Sequence, residues 1–356
     1  MAYTDIDNPE LYFQTKTYSG NSSTQAITLD GSENMQPDFC WFKGRNFADS
    51  HVAIDSVRGS NKAVYPDLTD AETTQTHYFS SFDSNGFTLG SSGIMNTSGR
   101  TYVSWNWKAG GSASSNSDGT GITSSVSANT TAGFSIVSYT GSGTTSNTVG
   151  HGLSSIDWLI VKSRDEADSW FVKHKSLSSN HNLNLNQTVA QTNVTSAYSE
   201  GGLSNLSGNT FGFLDGTSDA NAVNESGEKH IAYCWKEVKG YSKFGSYTGN
   251  GDADGIFVYT GFKPSMIIRK ISSTTGGWLI HDSTRTPFNG LNSNTNGLRP
   301  NSSEAEFDFF DIDYLSNGFK LRTSEANHNT SGATYIYMAF AESPFVNSKG
   351  IPTNAR

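Results

Sequence analysis

The chain has 356 residues, with 24 Lys and Arg set against 33 Asp and Glu, for a net charge of −9. Aromatic residues make up 12% and charged residues 16%, which supplies enough core material to exclude global disorder. The 36 glycines follow no period of three, so collagen is excluded, and no cluster of Lys and Arg is present to neutralise a phosphate backbone.

Residues 1–11 read as an N-terminal arm. Met1-Ala2-Tyr3-Thr4-Asp5-Ile6-Asp7 has neither a basic region nor an apolar signal core, so the expectation is synthesis in a cytoplasm, or export without an N-terminal signal. No apolar run is long enough to span a bilayer, so membrane insertion is not expected.

Residues 12–110 form the first of three copies of one pattern. It opens on Tyr18-Ser19-Gly20 and continues through an apolar strand ending in Lys, Pro37-Asp38-Phe39-Cys40-Trp41-Phe42-Lys43. His51-Val52-Ala53-Ile54 follows, then Asn85-Gly86-Phe87-Thr88-Leu89, the turn Asn96-Thr97-Ser98-Gly99, and a closing strand Tyr102-Val103-Ser104-Trp105-Asn106-Trp107. In that strand Val103, Trp105 and Trp107 alternate with polar residues, the period of two of a half-buried strand. Asn-Gly at 85–86 is a turn signal, because both residue types tolerate positive φ.

Residues 111–131, rich in Gly and Ser, read as a linker. The second copy, 132–238, has Tyr139-Thr140-Gly141, Ile156-Asp157-Trp158-Leu159-Ile160-Val161-Lys162 and Trp170-Phe171-Val172. It continues with Asn209-Thr210-Phe211-Gly212-Phe213, Asn224-Glu225-Ser226-Gly227 and His230-Ile231-Ala232-Tyr233-Cys234-Trp235. The third, 239–345, has Tyr247-Thr248-Gly249, Pro264-Ser265-Met266-Ile267-Ile268-Arg269-Lys270 and Trp278-Leu279-Ile280. Its later elements are Asn317-Gly318-Phe319-Lys320-Leu321, Asn329-Thr330-Ser331-Gly332 and Tyr335-Ile336-Tyr337-Met338-Ala339-Phe340. From opening Gly to closing aromatic (Trp107, Trp235 or Phe340) the spacings are 87, 94 and 91 residues. Residues 346–356 read as a C-terminal arm. Short β-branched and aromatic runs between Gly, Asn, Asp and Ser turns predict an all-β chain of three tandem β-sandwich domains.

Candidate chemistry is sparse. The histidines have no metal-protease spacing, and no nucleophile elbow or phosphate loop occurs. His151 reads as a turn residue capping nearby backbone. Two cysteines, Cys40 and Cys234, each beside Trp in a strand-like run, read as buried thiols rather than a disulfide or metal site. Asp252-Ala253-Asp254-Gly255 and Asp308-Phe309-Phe310-Asp311-Ile312-Asp313 offer hard oxygen ligands for calcium, but the first does not complete an EF-hand loop and reads as a solvated hairpin turn, and strand alternation splits the second. Neither a cofactor nor a catalytic residue is assigned.

One acidic–basic motif does recur. Asp55-Ser56-Val57-Arg58 matches Asp282-Ser283-Thr284-Arg285, while the middle copy has Lys175-Ser176-Leu177. Asp and Arg three apart favour a charge-assisted fork that locks a loop, with ligand binding as the alternative. The seven tryptophans align mostly in strands and read as core, although a few on an open sheet face would suit stacking on sugar rings.

The repeated Tyr-Thr-Gly, apolar-strand-Lys, Asp-Ser-x-Arg, Asn-Gly-Phe and Asn-x-Ser-Gly elements resemble virion structural proteins of marine tailed bacteriophages, including cyanophages. The resemblance covers nearly residues 12–345, with the middle copy departing most at Lys175-Ser176 and Phe211-Gly212. It implies tandem concanavalin-like or jelly-roll-like modules and a non-enzymatic part of a phage particle, either a tail fibre or appendage or a head decoration. The implied partners are other virion proteins, including further copies of the chain, and the implied location is the virion, assembled in the host cytoplasm. Recognition of a host cell-surface glycan is the alternative role, and polysaccharide hydrolysis, which needs two convergent carboxylates, is a more distant one.

Overall fold

The structure is a computed structural model that describes residues 3–91, 93–195, 202–204, 206, 208–214, 222–287, 289, 295–309 and 312–353. The chain is essentially all-β. Among the described residues the only helical elements are a short 3-10 turn, Pro9–Leu11, and a four-residue helix, Ala326–Asn329.

Each repeat builds a main sheet around the same four antiparallel strands, ordered opening, closing, inner and edge. The opening strands are Phe13–Ser19, Phe134–Thr140 and Ser242–Thr248, and the closing strands are Thr101–Trp107, Lys229–Trp235 and Thr334–Pro344. The inner strands are Phe39–Gly44, Trp158–Ser163 and Phe262–Ile271, and the edge strands are Val52–Asp55, Phe171–His174 and Trp278–Asp282. The register is shared: Phe39 pairs with Trp107, Trp158 with Trp235 and Met266 with Phe340. A three-stranded sheet lies against each main sheet. Its central strand carries the Phe of the Asn-Gly-Phe element, so that Phe87 pairs with Ile27, Phe211 with Val149 and Phe319 with Val258.

The closing strands differ from the half-buried pattern read from their alternation. Both faces are covered. In the second repeat, Ala232 and Cys234 pack with Val149, Phe211 and Leu203 into that repeat's own cluster. Ile231, Tyr233 and Trp235 point the other way, into a second core shared by all three repeats. The first repeat sends Val103, Trp105 and Trp107 into this central core, and the third sends Ile336, Met338 and Phe340. Trp107 stands edge-on to both Trp235, at 6.0 Å between ring centres, and Phe340, at 5.7 Å. A strand covered on both faces needs apolar residues at successive positions, which explains runs such as Trp158-Leu159-Ile160-Val161, all buried.

The three repeats therefore close around one common centre. After its edge strand, each repeat sends out an arm that returns to pair with that strand, as at Ala53–Val64, Val172–Leu183 and Ile280–Leu298. The arm then clasps the next repeat. The Glu72 amide donates to the Arg164 carbonyl at 2.9 Å, Gln191 to Ser272 at 2.9 Å, and Glu306 to Arg45 at 2.7 Å. These links run from repeat one to two, two to three, and three back to one.

The segment expected as a linker adds structure. Ser114–Asn116 and Ser124–Asn129 extend the second repeat's main sheet beyond its opening strand, and His181–Asn184 and Thr192–Asn193 extend it beyond its edge strand, giving it eight strands. The N-terminal arm is also tied down. Ile6 enters the central core, and the Asp5 amide donates to the Lys239 carbonyl at 3.1 Å. The C-terminal arm meets it, with the Ser348 amide donating to Asp7 at 2.7 Å.

Candidate functional site

The repeated Asp–Arg motif lies at the seams between repeats. Asp55 and Asp282 end their edge strands, and each carboxylate turns back over the following loop. Asp55 Oδ1 accepts the amides of Val57 and Arg58, while Oδ2 accepts Arg58 Nε at 2.5 Å and the Tyr233 hydroxyl of repeat two at 2.8 Å. Asp282 repeats this arrangement. Its Oδ1 accepts the Arg285 amide, and its Oδ2 accepts Arg285 Nε at 2.6 Å and the Trp105 indole N–H of repeat one at 3.0 Å. Both Asp–Arg pairs have no exposed side-chain surface, so a ligand cannot reach them.

A second carboxylate completes each seam. Glu72 accepts Arg58 Nη1 at 3.3 Å and is gripped by Arg164 of repeat two through Nε and Nη2 at 2.8 and 3.0 Å. Glu306 accepts Arg285 Nη1 at 2.9 Å and is gripped by Arg45 of repeat one at 3.0 and 2.9 Å. Burial opposes the charge on Glu72, yet hydrogen bonding from Arg164 and the nearby Arg58 hold its carboxyl below the ordinary value. Glu306 is lowered in the same way by Arg45 and Arg285, against the cost of burial. Burial likewise disfavours the Arg58 and Arg285 cations, but Asp55 and Asp282 outweigh it and raise both pKa values. These are buried ion networks in which donors and acceptors are matched.

At the third seam the position of the buried Asp–Arg pair is filled without charge, and the ion pairs there, Lys175 and Lys243 on Glu237, are partly exposed. Register places His174, opposite Trp158, where Asp55 stands opposite Phe39 and Asp282 opposite Met266. The equivalent of Asp55 is therefore His174 rather than Lys175, and Leu177 takes the place of Arg58. His174 Nδ1 still accepts a loop amide, that of Ser176, at 3.0 Å. Met338 occupies the position of Trp105 and Tyr233, and Gln191 that of Glu72. Burial lowers the His174 pKa to about 3, so its ring is neutral.

A further ring of contacts follows the same order. The residue opening each edge strand, or just before it, donates across a seam to backbone. Trp170 Nε1 donates to Tyr65 O at 2.9 Å and Trp278 Nε1 to Asn184 O at 3.0 Å. His51 Nδ1 accepts the Trp41 indole N–H, which leaves Nε2 as the donor to Arg299 O at 2.9 Å. Nearby, the strand-ending lysines Lys43, Lys162 and Lys270 are buried and donate to carbonyls, with burial lowering them to about 8, 8 and 7.

The Tyr-x-Gly and Asn-x-Ser-Gly elements are two halves of one latch inside each repeat. The hydroxyls of Tyr18, Tyr139 and Tyr247 donate to the carbonyls of Met95, Val223 and His328. The side-chain oxygens of Asn96, Asn224 and Asn329 accept the amides of Asn21, Ser142 and Asn250. Gly99, Gly227 and Gly332 turn the chain into the closing strand at φ of +78, +87 and +77. Gly86 and Gly318 are required by close approach, since a Cβ on either would run into the carbonyl of Ile27 or Val258 on the neighbouring strand.

Other sequence candidates are accounted for by local structure. His151 is buried, its Nδ1 accepts the Leu153 amide at 3.2 Å, and burial lowers its pKa to about 4. Cys40 and Cys234 are buried free thiols, with burial raising Cys234 to about 12. Asp254 is paired with Lys320 at 3.0 Å and Arg322 at 3.1 Å, and Asp313 with Arg322 at 2.5 Å. Asp311 lies outside the described residues. No group of three or more His, Cys, Asp or Glu gathers as a metal site among the described residues, and no helix there is long and apolar enough to cross a membrane. All seven tryptophans are buried, so none presents a stacking face.

A groove between repeats one and three gathers Glu10, Asp30 and Glu342. Each of the three is engaged: Asp30 by Lys16 at 2.5 Å, Glu342 by Lys263 at 2.6 Å, and Glu10 by the Ser32 amide at 2.8 Å. Glu72 and Glu306 sit in no motif that the sequence reading singles out, whereas Arg45 and Arg164 do carry a signal, each standing two residues after the strand-ending lysine of its copy, where copy three has Ser272.

A family model, described as a domain of unknown function, DUF7483, matches residues 8–344. The chain belongs to the DUF7483 family. The match begins in the N-terminal arm and ends with the closing strand of repeat three. The DUF7483 unit therefore comprises all three repeats and both charged seams. No curated protein matches the chain.

Proposed function

We propose that this DUF7483 chain is a non-enzymatic structural component of a bacteriophage particle, carried as a tail fibre or appendage subunit or as a head decoration, and that its repeats are concanavalin-like or jelly-roll-like sandwiches. The observation that carries the reading is closure of three repeats around one core. Groups that elsewhere perform chemistry are committed to that closure: Asp55, Asp282, Arg58, Arg285, Glu72, Glu306, His51 and His174 all sit in seams. A unit held together in this way is suited to mechanical durability, with loops free to vary on its surface. The four-stranded core of each main sheet and the three-stranded sheet across it support the sandwich assignment.

On this reading the partners are other virion proteins and further copies of the chain, assembly takes place in the host cytoplasm, and neither nucleic acid nor membrane is engaged. Peptide mass spectrometry of purified phage particles, followed by cryo-electron microscopy with the chain traced, tests the proposal. The expected result is a fixed stoichiometric copy number on the head, neck or tail. Absence from every purified particle overturns it.

A further inference from the structure

The three repeats are alike in their cores but not on the outer face of the three-stranded sheet. In repeat three the edge strand of that sheet, Phe257–Tyr259, buries Val258 inward and exposes Phe257 at 45% and Tyr259 at 59%. Register identifies the equivalents: Val258 pairs with Phe319 as Ile27 pairs with Phe87 and Val149 with Phe211. Where repeat three has Phe257 and Tyr259, repeat one therefore has Ala26 and Thr28, and repeat two has Thr148 and Gly150. The fold does not need aromatic rings here.

Both rings lie over glycine. The Phe257 ring covers Gly318, with Cε2 2.9 Å from where a Cβ would stand, and the Tyr259 ring passes Gly261 with its hydroxyl 3.5 Å from the corresponding point. Residues two apart on a strand point to the same face about 7 Å apart. Beside them on this face is a polar rim. Lys320 pairs with Phe257 across the strands, and Asp254 bridges Lys320 at 3.0 Å and Arg322 at 3.1 Å. The rim contains paired opposite charges and hydrogen-bonding groups that remain partly open to solvent.

We infer that Phe257 and Tyr259 form a stacking platform for a neutral glycan. A pyranose ring has an apolar C–H face that packs on the electron-rich face of an aromatic ring, and a rim of hydroxyls that both donate and accept. The platform supplies two such faces, and Asp254, Lys320 and Arg322 supply an acceptor and donors beside them. Size selects the occupant. Two partly exposed aromatic side chains offer roughly 200 Å² of contact, whereas a stable protein partner covers about 800 Å² on each side. That area matches one or two sugar residues. Asp254 and Asp313 together balance Lys320 and Arg322, so the rim carries no net charge, which favours an uncharged sugar over a sialylated or sulfated one. The inference is independent of where a particle carries the chain, because it concerns the isolated protein.

The test uses the full chain and affinity gel electrophoresis against four neutral polysaccharides: dextran, mannan, galactan and a mixed-linkage glucan. The variant F257A/Y259T gives repeat three the residues that repeat one already carries at these positions, so folding is preserved and is checked by melting temperature. The expected result is retardation of the native chain by at least one polysaccharide, weakened about tenfold or more in the variant with melting unchanged. Three results overturn the inference: no retardation of the native chain by any of the four, equal retardation of the variant, or native-chain dimerisation in sedimentation that the variant abolishes without any glycan effect.

Discussion

Replacing Asp55 with Ala removes the acceptor of Arg58 Nε and of the Tyr233 hydroxyl at the centre of one seam. Arg58 has no exposed side-chain surface, so its charge stays buried with only the 3.3 Å contact to Glu72 as ionic compensation. Breaking a buried pair in this way costs about 3–5 kcal/mol. If the chain unfolds as one unit of 356 residues, its unfolding entropy is about 0.75 kcal/mol/K, and melting falls by about 4–7 °C. Were a single repeat to unfold alone, the same loss would lower its melting by roughly 12–20 °C, because the entropy of the unit is a third as large. The third seam supplies the rescue. Asp55→His, Arg58→Leu and Tyr233→Met together copy the His174, Leu177 and Met338 arrangement and leave no unpaired charge, while Glu72 keeps its grip on Arg164. The triple variant is expected to regain most of the lost stability in urea titrations followed by circular dichroism. A loss below about 1 kcal/mol in Asp55→Ala, or a triple variant no more stable than the single one, refutes the reasoning.

The latch predicts a contrast between two glycines. Gly141→Ala drives a Cβ into the Glu225 carbonyl and is expected to cost about 2–3 kcal/mol, whereas Gly227→Ala meets open space and costs about 1–2 kcal/mol from its positive φ alone. Asn329→Ala removes an acceptor for the Asn250 amide and donors to Asp252 and Thr323, and is expected to lower stability by about 2–3 kcal/mol in the same titrations. Acid should destabilise the fold steeply. Burial lowers His151, His174, His230 and His328 to between about 3 and 4, so as pH falls below about 6.5 the unfolded chain takes up these protons first. Stability contributed above pH 6.5 is lost on descending toward pH 4, and uptake of about four protons from these groups is expected on unfolding near pH 5. The buried Lys43, Lys162 and Lys270, at about 8, 8 and 7, act in the alkaline window, where the unfolded chain holds more protons. Melting temperature should therefore rise from pH 4 to about 9, and a maximum near pH 6 would contradict these assignments.

Much of each repeat was legible in the sequence because its signals are local. Tyr-x-Gly, the apolar strand and Asn-x-Ser-Gly recur in order, and the structure joins the first and last in the same latch three times. Closure was not legible. Tyr233 reaches Asp55 across 178 positions and Trp105 reaches Asp282 across 177, so neither pairing leaves a spacing to read. Side-chain identity places the middle counterpart of Asp55 at Lys175, one residue late, because His174 resembles Asp55 only in accepting a loop amide. Alternation in the closing strand suggested one wet face. Ser104 and Asn106 are instead fully buried, since their own repeat's second sheet covers that side. Exposure of the aromatic pair at 257 and 259 leaves no mark in the sequence, and every tryptophan, the residue type best suited to stacking, is interior.

Differential scanning calorimetry of the intact chain tests closure around a common core most directly. At about 0.7 kcal/mol per residue, the whole chain should absorb roughly 250 kcal/mol near 60 °C. Closure predicts one transition whose van't Hoff enthalpy matches that calorimetric value. Separate transitions, or a van't Hoff enthalpy near a third of the calorimetric one, would mean that the repeats unfold independently and would contradict the shared core.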